Sequence, residues 1–173
     1  GKPVMKTTDE NGRDHFKGHA IASEQIAKTV MKRLKFDNDT IRKVTKLVAY
    51  HDYRMEPTGA NVRRAMHEIG VELFPYYLAV RLADTKAQSS YERRGKLENI
   101  IQIRELYRNA LRNKECVTLK DLAVTGTDLI NLGIAPGKEL GTLLNELLDM
   151  VIEDPAWNQK GKLCDYVKER FGF

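Results

Sequence analysis

The chain has 173 residues, with 29 Lys and Arg against 24 Asp and Glu and only two cysteines. That length can bury a core as one domain or as two small ones. No apolar run approaches the roughly 18 residues that a membrane span needs, no signal-peptide pattern opens the chain, and Cys116 and Cys164 stand too far apart for a disulfide framework or a zinc motif, so a reducing cytoplasm is the expected location.

Charge is unevenly spread. Residues 1–116 hold 23 Lys and Arg against 15 Asp and Glu, a balance of +8, whereas residues 117–155 hold 2 against 7, a balance of −5. A basic front and an acidic middle suggest a polyanionic partner for the front part. An ordinary solvated surface is the alternative.

Residues 1–16 read as a polar, turn-rich loop, and the start on Gly1-Lys2-Pro3 without a methionine reads as a cut through a larger protein. Helix-forming residues dominate the rest of the chain, and no stretch alternates long enough for a strand, so an all-α fold is expected. A first helix is expected over 18–35, with Ser23, Ile26, Ala27, Val30, Met31 and Leu34 inward. Asp37 to Thr40 offer N-caps for a second, whose inner face is Ile41, Val44, Leu47, Val48 and His51. Pro57 and Gly59 break the chain before a short helix over 61–69. The next helix, over 74–88, places Tyr77, Val80, Asp84 and Ala87 on one face. Ser89-Ser90 precede a long helix to about 112, with Leu97, Ile100, Ile103, Tyr107 and Leu111 inward. Arg104, Arg108 and Arg112 form an outward stripe at i, i+4 and i+8, extended by Arg93, Arg94 and Lys96.

The charge balance reverses at 113–118, which places a boundary there: a helical domain over 1–116 and a small helical tail over 117–173. In the tail, a short helix over 127–132 leads into Gly133-Ile134-Ala135-Pro136-Gly137-Lys138. Gly133 suits a left-handed helix end, Ile134 can fold back on the apolar side, and Pro136 suits a helix start. Leu140, Leu143, Leu144, Leu147, Leu148, Val151 and Ile152 then make a strongly patterned helix, with Gly141 admitting close helix contact. The N-terminus of that helix, with Lys138 beside it, can hold a phosphate; a hairpin closed by Gly and Pro with no binding role is the alternative, and spacing alone favours it. Asp154-Pro155 ends it, and a last helix over 159–171 carries Leu163, Val167 and Phe171.

Four histidines, His15, His19, His51 and His67, together with Asp52 and Asp84, could build a metal site from successive helices, since imidazole and carboxylate suit Zn, Mn or Fe. A hydrogen-bonded core histidine is the alternative for His51. No Gly-rich phosphate loop, nucleophile elbow or carboxylate pair for acid–base work is present.

Gly1-Lys2-Pro3, Asp14-His15-Phe16-Lys17-Gly18-His19, Tyr50-His51-Asp52 and Arg81-Leu82-Ala83-Asp84-Thr85 together resemble the HD domain of bacterial CCA-adding tRNA nucleotidyltransferases, relatives of poly(A) polymerases. Thr125-Gly126-Thr127-Asp128-Leu129, Leu132-Gly133-Ile134 and Pro136-Gly137-Lys138-Glu139-Leu140-Gly141 are similar to the C-terminal RNA-binding region of the Gram-positive-type enzymes. The resemblance covers essentially the whole chain. It implies that Gly1-Lys2 closes a His-Asp-x-Gly-Lys motif, whose His-Asp doublet would lie upstream. It implies that Asp84 is the distal aspartate of the metal centre, and that His19 and His51 are ligands added in two-metal relatives. The metal set His19, His51 and Asp84 is then incomplete, and metal-dependent hydrolysis is not expected. The resemblance places nucleotidyl transfer, with its paired carboxylates and Mg²⁺, in an N-terminal head domain matched by no segment here, and implies no cofactor in this chain. What it leaves is a helical body and tail that hold tRNA. Arg93, Arg94, Arg104, Arg108, Arg112 and Lys138 are the candidate phosphate contacts, since arginine forks suit bidentate binding, and a solvated helix face is the alternative for each. An HD-type phosphohydrolase acting on nucleotides or phosphodiesters is the second reading, and a helical interaction module is the third.

Overall fold

The computed structural model describes residues 1–12, 14–88, 90 and 92–172. Among the described residues eight α-helices follow one another: α1 (His19–Arg33), α2 (Asn38–Tyr50), α3 (Gly59–Ile69), α4 (Phe74–Ala87), α5 (Arg93–Arg112), α6 (Gly126–Asn131), α7 (Lys138–Glu153) and α8 (Lys160–Phe171). The fold is all-α. The expected N-terminal loop holds more order than its composition suggests. A 3₁₀ turn, Pro3–Met5, precedes a minimal hairpin in which β1 (Thr7–Thr8) pairs antiparallel with β2 (Asp14–His15). Strands this short carry too little alternation to be read from sequence. Ser89, expected to open α5, lies outside the described residues. Among the described residues no helix is long and apolar enough to cross a membrane.

The chain forms two compact units. One gathers Gly1–Met55 with Ile69–Ile100, and the other gathers Glu56–Glu68 with Ile101–Phe173. Sequence reading divides the chain once, near residue 116. The units instead interleave, because long-range bonds tie an internal segment to the C-terminal helices. Arg63 on α3 donates from Nε to the Ile152 carbonyl (2.7 Å) and from Nη2 to the Glu153 carbonyl (3.0 Å), and pairs through Nη1 with Glu115 (2.8 Å). His67 Nδ1 donates to the Val117 carbonyl (2.9 Å). A charge pattern along the chain carries no sign of such closures.

In the first unit α1 packs on α2. Asp37 caps α2, accepting from the Thr40 amide at 2.9 Å, the arrangement expected of that polar run. Ile41 is buried, and so are Leu73, Phe74, Tyr77 and Leu78 about the start of α4. The Tyr77 hydroxyl donates to the Tyr53 carbonyl (2.8 Å) and accepts from buried Arg81 (3.2 Å). The inner face expected for α1 is only partly right. Ile26 is 47% exposed and Leu34 60% exposed, and the one buried residue of α1 is His19.

The second unit has a continuous apolar core: Leu143, Leu147, Leu148, Val151 and Ile152 of α7 pack with Leu122, Val124, Leu129, Ile134, Leu163 and Val167. The 3.6-residue spacing of α7 dictates this face. Phe171, expected inward on α8, is 47% exposed. On α5 the outer residue of the expected face also turns away: Leu111 is exposed and Ala110 is buried instead.

The α6–α7 hairpin follows its sequence closely at the first turn. The Gly133 amide donates to the Ile130 carbonyl and the Ile134 amide to the Leu129 carbonyl, with Gly133 at φ 106° and Ile134 buried. This is the paired 5→2 and 6→1 closure that a left-handed glycine permits. The second turn differs. Pro136 lies outside the helix, and Gly137 at φ 149° is the N-cap of α7. A Cβ built on Gly141 meets no atom within 4 Å, so close helix contact does not explain that glycine.

Asp128 is the other fixed point of the hairpin. It closes a capping box with Thr125 at the start of α6 and pairs with Lys160 of α8 at 2.5 Å. The Lys160 ammonium, with the Thr125 amide and hydroxyl, holds the Asp128 carboxyl down at about 2 from its usual 3.8. A depressed carboxylate stabilises the fold above its unfolded pKa, and that contribution is lost as pH falls through the folded one. Thermal melts should therefore show the chain losing stability between pH about 4 and about 2, with a shallower acid loss in Asp128→Asn. An identical acid profile in the variant would remove Asp128 from this role.

Candidate functional site

His19 and His51 come together in the first unit although 32 residues separate them. Gly18 (φ 79°), left-handed as glycine readily is, starts α1 and presents His19, whose Nδ1 donates to the Phe16 carbonyl at 2.8 Å. His51 is the C-cap of α2, and its Nδ1 donates to the Val48 carbonyl at 2.6 Å. The two Nε2 atoms face each other at 3.1 Å, with the rings in an edge-on arrangement.

The tautomers follow from the partners. A carbonyl only accepts, so both Nδ1 atoms carry hydrogen, and in neutral rings both Nε2 atoms present lone pairs. Two lone pairs at 3.1 Å repel unless a positive species lies between them. A shared proton meets that need. So does a transition metal, whose bonds to imidazole of about 2.0–2.1 Å can span such a gap, and carbonyl-anchored Nδ1 atoms are the usual support for ligating histidines.

Asp84 of α4 lines the same cleft, with Asp52, Arg54, Lys17 and Lys2. Its Oδ2 accepts from Gln88 Nε2 at 2.6 Å. Asp52 is bound to Arg54 at 3.2 Å. His15 is turned to Asp9 (2.8 Å), and His67 belongs to the second unit. Among the described residues no group of three His, Cys, Asp or Glu side chains is placed to hold a metal ion. Two imidazoles with their second nitrogens committed fit a metal in part, and among the described residues no third donor is placed with them.

The arginines of α5 divide by what they touch. Arg93 is half-buried and donates back to the Gln88 carbonyl, while its Nε is buried without a partner among the described residues. It is therefore not a free surface cation. Arg94 pairs with Glu98 (2.9 Å) and Arg108 with Glu105 (2.6 Å), and Arg112 bonds the side chain of Asn109. Arg104 has no hydrogen bond or ion pair among the described residues. The i, i+4, i+8 stripe therefore exists on α5, with Arg108 and Arg112 exposed and Arg104 half-exposed. Exposed pairs such as Arg108–Glu105 contribute about 0–1 kcal/mol, so their arginines can exchange a carboxylate for a phosphate. Lys138 is the first residue of α7, exposed, beside a Gly137 N-cap with no capping side chain.

Sequence reading missed Arg63, the buried cation of the second unit. Nothing in Asn61-Val62-Arg63-Arg64 distinguishes it from Arg64, which reaches Asp149 and Glu153 at longer range on the surface.

A family model described as tRNA nucleotidyltransferase domain 2 matches residues 19–167. A CC-adding tRNA nucleotidyltransferase of Thermus thermophilus is 28% identical over 159 residues, which is 88% of this chain and 34% of that protein. The chain thus spans about a third of the length of this curated relative. No solved structure matches.

Proposed function

Starting from the fact that the chain belongs to the tRNA nucleotidyltransferase domain 2 family, we propose that it is the tRNA-holding part of an enzyme that adds nucleotides to tRNA 3′ ends. In this reading the helices grip the RNA by its phosphates and position it without reading its sequence. Nucleotide transfer, with Mg²⁺, belongs to a head domain outside residues 1–173. The observation that carries the proposal is the family match across residues 19–167. The cationic stripe of α5 supplies a means of binding. Incubation of the chain with tRNA lacking its 3′ end, CTP, ATP and Mg²⁺ should give binding without extension. Extension by this chain alone would overturn the division of labour.

The paired Nε2 atoms of His19 and His51 favour a second reading, an HD-type phosphohydrolase. In that reading His19 and His51 would hold a transition metal, Asp84 would stand beside it, and the metal would supply a Lewis acid for phosphoester hydrolysis. The missing third donor argues against tight binding. After dialysis, elemental analysis should find less than one Zn, Mn or Fe per chain. A stoichiometric metal that disappears in His51→Ala would promote the phosphohydrolase.

A further inference from the structure

The end of α1 carries a cationic surface that neither the α5 stripe nor the histidine cleft accounts for. Lys28, Lys32, Arg33 and Lys35 lie within eight positions with no acid between them, and all four are exposed. None has an ion pair among the described residues. The acids that follow in sequence are engaged, Asp37 capping α2 through Thr40 and Asp39 pairing with Arg42 (2.5 Å) and Lys43 (2.6 Å), and Glu24, one turn before Lys28, forms no ion pair with it among the described residues. Beside the cations stand two large apolar side chains, Leu34 between Arg33 and Lys35 at 60% exposure and Phe36 just after Lys35 at 49%.

The backbone adds an independent observation. The Lys35 amide donates to the Lys32 carbonyl and the Phe36 amide to the Met31 carbonyl. This is the same closure that Gly133 makes after α6, yet here a lysine holds the left-handed position at φ 58°. Glycine would occupy it without strain. The fold alone does not call for this side chain.

We propose that the tip formed by residues 28–36 is a second RNA contact, with Lys28, Lys32, Arg33 and Lys35 on phosphates and Phe36 against an unpaired base or ribose. The proposal rests on the tRNA-binding reading above and assigns it a new surface. Phosphates match four cations that are unpaired among the described residues, and an exposed ring beside cations is the arrangement that stacks a base. A second copy of the chain would bring like charges together.

The test uses the full chain, a tRNA transcript and fluorescence anisotropy over a salt series. Lys35→Gly separates fold from function, because glycine relieves the backbone while removing the charge. Its melting temperature should be unchanged or higher, while its tRNA affinity falls and the slope of log K against log salt flattens by about 0.7–0.9. Lys32→Ala with Arg33→Ala should flatten the slope by about two such steps. Phe36→Ala should weaken binding by about fivefold or more with the slope unchanged, because stacking carries no counterion release. If these variants bind tRNA as the wild type does, while Arg104→Ala with Arg108→Ala weakens binding, the tip proposal falls and the α5 reading stands. If the wild-type chain shows no salt-dependent tRNA binding, both fall. If the tip variants keep tRNA affinity but lose binding to phosphatidylserine vesicles, the surface faces lipid and the proposal is overturned.

Discussion

Replacing Arg63 with alanine should cost the fold about 3–5 kcal/mol, the range for removing one member of a buried ion pair. The side chain is 9% exposed, and each of its three nitrogens has a partner: two main-chain carbonyls at the end of α7 and the Glu115 carboxylate. Truncation leaves all three without a donor. Ile152 is fully buried and the Glu115 side chain is 17% exposed, so water replaces the lost bonds poorly. In a chain of this length each kcal/mol moves the melting temperature by roughly 2–4 °C, so a drop on the order of 10 °C is expected. Arg63→Lys should recover little, because an ammonium cannot reproduce a planar fork bonded to three acceptors. Arg64→Ala is the control. Its partners are exposed and one lies at 3.7 Å, so a change of no more than about 1 kcal/mol is expected. A loss near the control's value at Arg63 would show that the second unit does not depend on this residue.

Binding of tRNA should weaken at least about a hundredfold between about 0.05 and about 0.2 M salt, the floor set by Arg104, Arg108, Arg112 and Lys138 before any contact from the tip of α1 is added. Each neutralised phosphate releases counterion, and the slope of log K against log salt is about −0.7 to −0.9 per contact. Engagement of Arg104, Arg108, Arg112 and Lys138 gives a slope of roughly −3 to −4 by that rule. Arg104→Ala with Arg108→Ala should flatten it by about two contacts. Arg104 gives the cleaner single variant, since it has no partner among the described residues, whereas removing Arg108 also leaves Glu105 as an exposed negative charge. Lys138→Ala tests the hairpin separately. An unchanged affinity and slope there would make the start of α7 a packing feature only. Fold should be nearly unaffected by the α5 changes, with stability altered by no more than about 0.5 kcal/mol.

Local signals in the sequence carried far, and signals between distant segments did not. The face of α7 was legible because seven apolar residues recur at helical spacing, and five of them are buried. The turn after α6 was legible because Gly133 has one strongly favoured use at a helix end. His51 was legible as inward-facing from its spacing after Val44 and Val48, but nothing along the chain announces that His19 meets it. The face of α1 was misjudged because its apolar residues surround the helix, and spacing alone cannot choose which of them meets α2. Asp128, part of the motif that carries the family resemblance, serves a capping box and an ion pair in the structure, so a recognisable motif need not mark a contact with substrate. Arg63 was invisible because its partners lie 52 to 90 positions away.

The interleaving of the two units limits how this molecule can be divided or inherited. The chain passes between them after residues 55, 68 and 100, so no single scission yields either one intact. A graft taken from residue 117 onward would keep the carbonyls of Ile152, Glu153 and Val117 but leave behind Arg63 and His67, the side chains that bond them. Exchange of tails between relatives, by recombination or in the laboratory, has to carry residues 56–68 along with 101–173. The tail therefore travels as two pieces of sequence that make one piece of structure.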